Sequence, residues 1–94
     1  DERKSDIEGS IKKIDNNSGI VMLTDMFGGT PSNLAISFLK TGKIEIISGV
    51  NLPMLVKLIG LRDSNDLNGV AQETKASAQK YISIASEILS ENNK

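Results

Sequence analysis

The chain has 94 residues, enough for one small domain and near the size at which a single core is only marginally stabilising. Its 11 Lys and Arg against 12 Asp and Glu leave a net charge of −1, which gives no electrostatic footprint for nucleic acid, and Phe27, Phe38 and Tyr81 provide no stacking platform for bases. Without cysteine or histidine it has no disulfide framework, no thiolate chemistry and none of the usual zinc donor sets, so no metal or cofactor is expected.

Ile7, Ile11 and Ile14 recur at helical spacing among Lys, Asp and Glu, predicting an amphipathic helix to Ile14 whose apolar stripe serves core packing. A polar turn from Asn16 to Gly19 follows. The triplet Asn16-Asn17-Ser18 also fits a glycosylation acceptor, but reads more simply as a turn before a strand. Ile20-Val21-Met22-Leu23 is a short β-branched run, as expected of a strand buried in a parallel sheet, and it sets Asp25 at the strand's carboxyl end.

The segment Thr24-Asp25-Met26-Phe27-Gly28-Gly29-Thr30-Pro31-Ser32-Asn33 then opens a helix. Gly28 and Gly29 permit a tight turn and close approach of a ligand, Thr30 suits the N-cap, and Pro31 suits the first helical position. Backbone amides and the positive end of the helix dipole would face the space above Asp25, which is the layout of a phosphoryl site. There is no Walker lysine and no three-glycine dinucleotide spacing, so no nucleotide is implied. A plain strand-to-helix connection, with Asp25 capping or solvating its loop, fits the local pattern as well. This helix is expected to bury Leu34, Ala35, Phe38 and Leu39 and to stop at Gly42 in a left-handed cap.

Lys43 to Ser48 is the next strand, and Gly49-Val50-Asn51-Leu52-Pro53-Met54-Leu55 repeats the pattern of turn and helix start, with a helix over Leu52 to Ile59. Two successive strand-turn-helix units imply an α/β fold, a parallel sheet with helices on both faces, and ligands outside the carboxyl ends of its strands. Asp25 and Asn51 therefore share one rim. Asn51 reads either as an N-cap or as a rim residue that meets a partner. Met26 and Phe27, apolar and in an exposed loop, suit the docking of a partner protein, although some apolar surface is ordinary.

Asp63 to Asp66 is a loop, and Asp66 is placed to cap a final long helix. One face of that helix carries Leu67, Val70, Ala71, Thr74, Ala78, Tyr81, Ile82, Ala85, Ile88 and Leu89. Its other face is not basic, which points to packing and not to a membrane surface. With no signal peptide and no apolar run of about 18 residues, a membrane role would be indirect, and the lack of cysteine is compatible with a reducing cytoplasm. No internal repeat or linker divides the chain, so residues 1–94 are read as one domain.

Asp25 to Asn33 together with Gly49 to Leu55 resembles, in order and approximate spacing, the IIA domain of the mannose family of the bacterial phosphoenolpyruvate-dependent sugar phosphotransferase system. The resemblance covers Gly19 to the C-terminus. It implies a cytoplasmic phosphocarrier in which a histidine takes a phosphoryl group from the carrier protein HPr and passes it to a IIB domain, and thence to a sugar entering through membrane subunits. By the same resemblance Asp25 orients that histidine, Thr30 sets its hydroxyl beside the phosphoryl oxygens, and Gly28, Gly29 and Thr30 supply amides to them. The family's homodimer is expected as well, since a small sheet with open edges and a long C-terminal helix gains from a partner surface.

The chain itself contains no histidine, and no other residue here replaces an imidazole nucleophile. The family's histidine loop is therefore expected before Asp1, within a strand-helix-strand stretch of roughly 40 residues. The 94 residues then form the C-terminal portion of a IIA domain, inactive alone. A regulatory binding module of the same fold, or the phosphoryl-acceptor subunit of a dihydroxyacetone kinase, is the alternative.

Overall fold

The computed structural model describes residues 2–14, 19–64 and 66–92, with residues 14, 30–32, 91 and 92 described by their backbone alone. The turn and possible glycosylation triplet at 16–18 lie outside the described residues. Seven elements follow in order: α1 (Glu2–Ile14), β1 (Ile20–Thr24), α2 (Thr30–Ile36), β2 (Ile44–Ser48), α3 (Leu52–Leu61), α4 (Leu67–Lys80) and α5 (Ala85–Asn92).

β1 and β2 pair in parallel, with Ile20 opposite Ile44 and Thr24 opposite Ser48. This is the expected α/β arrangement, since parallel neighbours need a crossover and α2 lies within it. Both strands are rich in Ile, Val and Leu, and Ile20 and Ile46 are buried. α2 and α4 pack against the strands, and α3 packs against α4. Val70, Thr74 and Ala78 repeat every fourth residue along α4 and form its buried stripe. Met54 of α3 is 1 % exposed; its unbranched side chain suits an irregular gap, and its burial contributes about 1.5–3 kcal/mol.

The caps are those the sequence marks. Asp66 Oδ1 accepts the N–H of Gly69 at 3.1 Å and starts α4.

Three helices differ from expectation. α2 ends at Ile36, where a longer helix reaching Gly42 was expected. Ser37 Oγ donates to Leu34 O at 2.6 Å, while the N–H groups of Phe38 and Leu39 reach back only three residues, to Ala35 O and Ile36 O. A hydroxyl competing for a helix carbonyl and tightening to i−3 bonds are how short helices end. Ala35 is buried, Leu34 and Phe38 are half-buried, and Leu39 is exposed. Gly42 does take a left-handed φ of 79°, but it does so in the Lys40–Lys43 turn, closed by Lys43 N–H on Lys40 O at 2.9 Å.

The expected long C-terminal helix is two helices. α4 stops at Lys80, the Ile82 N–H turns back to Gln79 O at 3.3 Å, and α5 restarts at Ala85. The connection contains Ile82-Ser83-Ile84, poor helix formers by χ1 restriction and backbone competition. Tyr81, Ile82, Ala85, Ile88 and Leu89, expected on a buried face, are exposed, Ile82 at 74 %. A periodic stripe without an opposing surface gives no burial energy to hold the helix across that break. Along α1, Ile7 and Ile11 are only half-buried and face Ile20 and Met22 of β1 across an open crevice of about 260 Å³. The radius of gyration is 16.0 Å, against about 12 Å for a compact domain of this length.

Candidate functional site

The site begins where the two strands end. Asp25 follows β1 directly, is exposed, and its Oδ1 accepts the N–H of Met26 at 2.8 Å. This bond fixes one carboxylate oxygen against the loop. The second loop secures the backbone of the first: Gly49 N–H donates to Asp25 O at 2.9 Å and Val50 N–H donates to Thr24 O at 3.0 Å. In a regular parallel ladder alternate residues face a given neighbour, so two successive donors to the same strand require the chain to turn. Gly49 makes that turn with a φ of 83°, a value in which an L side chain is strained.

Gly28 has a φ of 112° with no atom within 4 Å of where a Cβ would be, so glycine is required there by backbone conformation and not by crowding. The N–H of Asn33 donates to Gly29 O at 2.9 Å, which places the start of the α2 ladder on the glycine turn. α2 begins at Thr30 itself, one position before the expected start, and the expected hydroxyl cap falls on a side chain outside the description. With seven residues, α2 carries a weaker dipole than a helix reaching Gly42 would. Met26 and Phe27 stand out from the loop at 68 % and 46 % exposure.

Asn51 caps α3: its Oδ1 accepts the Met54 N–H at 3.1 Å. Its Nδ2 donates to Ala78 O in α4 at 3.2 Å. A carbonyl needs a donor and an N–H needs an acceptor, so only this amide orientation satisfies both. Asn51 is half-buried, with both ends of its amide engaged by the fold, whereas Met26 and Phe27 are exposed. The contact across 27 residues to α4, and the Gly49–Asp25 backbone bond, carry no local sequence signal; only the asparagine's cap position was legible.

Beside the rim, Phe27, Ser48, Asn51, Lys75 and Gln79 line a half-open hollow of about 500 Å³. The Thr24 hydroxyl, at the foot of Asp25, is buried without a hydrogen-bond partner among the described residues. Among those residues no cluster of three or more Asp and Glu side chains could hold a metal ion, and no helix is long and apolar enough to cross a membrane.

A carboxylate at the carboxyl end of a parallel strand, followed in the chain by a glycine turn and a helix start, is the arrangement found where α/β sheets bind ligands. The family model described as the PTS system fructose IIA component, EIIA-man, matches residues 1–75. The chain belongs to this family, the mannose-type IIA domains. It is 35% identical over 81 residues to the PTS system fructose-specific EIIA component of Bacillus subtilis (strain 168), covering 85% of this chain and 56% of the relative. It is 36% identical over 77 residues to the PTS system mannose-specific EIIAB component of Escherichia coli (strain K12), covering 77% of this chain and 24% of the relative. The chain thus spans little more than half of the first relative and about a quarter of the second. The fold agrees with a crystal structure of phosphotransferase system component EIIA from Streptococcus agalactiae, with a TM-score of 0.72 and 25% identity over 89% of this chain and 68% of that one.

Proposed function

We propose that these residues form the aspartate-bearing half of a phosphoryl-transfer centre that serves sugar uptake or its regulation. A histidine from outside the 94 residues receives the phosphoryl group from HPr and hands it to a IIB domain, in the cytoplasm. The carrying observation is Asp25, exposed at the end of β1 with one oxygen fixed by Met26 N–H and its backbone clasped by Gly49. A carboxylate so held orients an imidazole by accepting one ring N–H, which leaves the other nitrogen as the nucleophile. In the transfer a P–N bond to that nitrogen forms as the P–N bond to the donor histidine breaks. The phosphoryl oxygens would lie against the backbone of Gly28, Gly29 and Thr30, whose amides stabilise the charge carried there.

The name of the mannose-specific relative joins an A and a B unit, which favours a IIB partner. Met26 and Phe27 beside the centre offer an apolar patch for HPr and IIB. A homodimer is proposed as well, because Leu52, Val56 and Ile59 of α3 and Ile82, Ile84 and Leu89 beyond α4 are all exposed, an apolar excess suited to a subunit contact. The absence of histidine from the sequence favours one second reading, a regulatory binding module of the same fold.

Intact-mass spectrometry separates the two. With phosphoenolpyruvate, enzyme I and HPr, the full gene product gains one phosphate while the 94-residue chain gains none. A full gene product that never gains phosphate establishes the binding module. A stable phosphate on the 94-residue chain overturns the histidine mechanism.

A further inference from the structure

We infer that Asn51 is a positioning residue for Asp25, a role that rests on the phosphoryl-centre reading above. Asp25 is exposed, so packing does not define its place. Its backbone is held instead by the second loop, through Gly49 N–H on Asp25 O and Val50 N–H on Thr24 O. That loop in turn needs an anchor, because Gly49 has the freedom of a glycine and both Gly49 and Val50 are exposed.

Asn51 is the anchor. One end of its amide grips α3 through Met54 N–H, directly beside the most deeply buried side chain of that helix. The other end grips Ala78 O in α4, whose Val70, Thr74 and Ala78 form the buried stripe. Two packed helices are thereby tied to residue 51, residue 51 fixes residues 49 and 50 by direct chain connection, and those two clasp the end of β1.

The cap and the tether are separable. Serine and aspartate both cap helices about as well as asparagine, yet neither has an N–H to donate to Ala78 O. Asn51→Ser and Asn51→Asp therefore keep the start of α3 and release the loop from α4. Displacing a reacting geometry by even about 1 Å can cost on the order of a hundredfold in rate; release of one tether is expected to lower kcat by about tenfold.

The test is transfer from phosphorylated HPr to the full gene product, comparing wild type, both Asn51 variants, Asp25→Asn, and the double variant Asp25→Asn with Asn51→Ser. Both Asn51 variants should lose about tenfold in kcat at unchanged KM. The double variant should be no slower than Asp25→Asn alone, because a residue that acts through Asp25 has nothing left to position. Asn51 variants that transfer at the wild-type rate, that raise KM alone, or that slow the Asp25→Asn protein further overturn the inference. Asp25→Asn at full rate instead overturns the phosphoryl-centre reading on which it rests. A measurement on the unaltered protein needs no variant to fold: the Asn51 side-chain amide protons should exchange with water slowly by NMR, and exchange at the rate of a free asparagine overturns the tether.

Discussion

The two strand-end loops and the segment after Lys80 are both apolar and helix-bordered in sequence, yet they meet different fates. At the rim the second loop is closed against its neighbours: Gly49 on Asp25, Val50 on Thr24, Asn51 on both α3 and α4. Beyond Lys80 the same density of isoleucine and leucine meets no packed surface among the described residues, and Ile82, Ile84 and Leu89 remain more than 60 % exposed. Periodicity states which residues share a face; only an opposing surface turns that face into stability.

Substitutions in the two regions should therefore differ sharply, and the largest effect is expected where α3 meets α4. Met54→Ala removes a side chain that is 1 % exposed and should cost about 2–5 kcal/mol in urea denaturation of the full gene product; a loss below about 1 kcal/mol would mean that the helical layer is no better packed than the tail.

At the rim, Gly49→Ala places a Cβ on a φ of 83°. A loss of about 1–2 kcal/mol is expected from conformation alone, since no atom lies near enough to clash. Equal stability of the two proteins would show that the backbone clasp on Asp25 relaxes without strain.

Thr74 sharpens the comparison from the opposite direction. It is fully buried and its hydroxyl has no partner among the described residues, an arrangement that costs about 1–3 kcal/mol. Thr74→Val should raise the melting temperature, by about 1 kcal/mol in stability; a decrease would reveal a partner for that hydroxyl in the folded protein.

The smallest effect belongs to the tail. Ile84→Ser should leave the unfolding free energy at dilute concentration within about 0.5 kcal/mol, as for an exposed position. Light scattering at micromolar concentration should nonetheless show weakened self-association, because the proposed homodimer draws on this apolar surface. Unchanged association would remove the tail from the subunit contact.

What was legible in the sequence follows the same division. The strand before Asp25, the glycine turns at 28 and 49 and the Asp66 cap are each set by short-range chemistry, and each stands where the residues indicated. Asp25 at the carboxyl end of β1 came from that same local pattern. The early end of α2 was less visible, because it depends on a rotamer of Ser37 that reaches Leu34 O. The break after Lys80 was hidden by an apolar stripe that continues through it, as the missing quantity is a neighbour and not a residue. The Asn51 bond to Ala78 O was out of reach for the opposite reason: the partner exists, but it is a backbone carbonyl with no residue-type signature.

The central claim, that Asp25 orients the phosphoryl-accepting histidine, is tested most directly by rapid-quench transfer from phosphorylated HPr to the full gene product and to its Asp25→Asn form. Asparagine keeps the shape and loses the charge that, in the proposed mechanism, holds the imidazole and its tautomer. The account predicts an unchanged melting temperature with a rate lower by about a hundredfold or more, as for orienting carboxylates elsewhere. Transfer by the Asp25→Asn protein at the wild-type rate would contradict it.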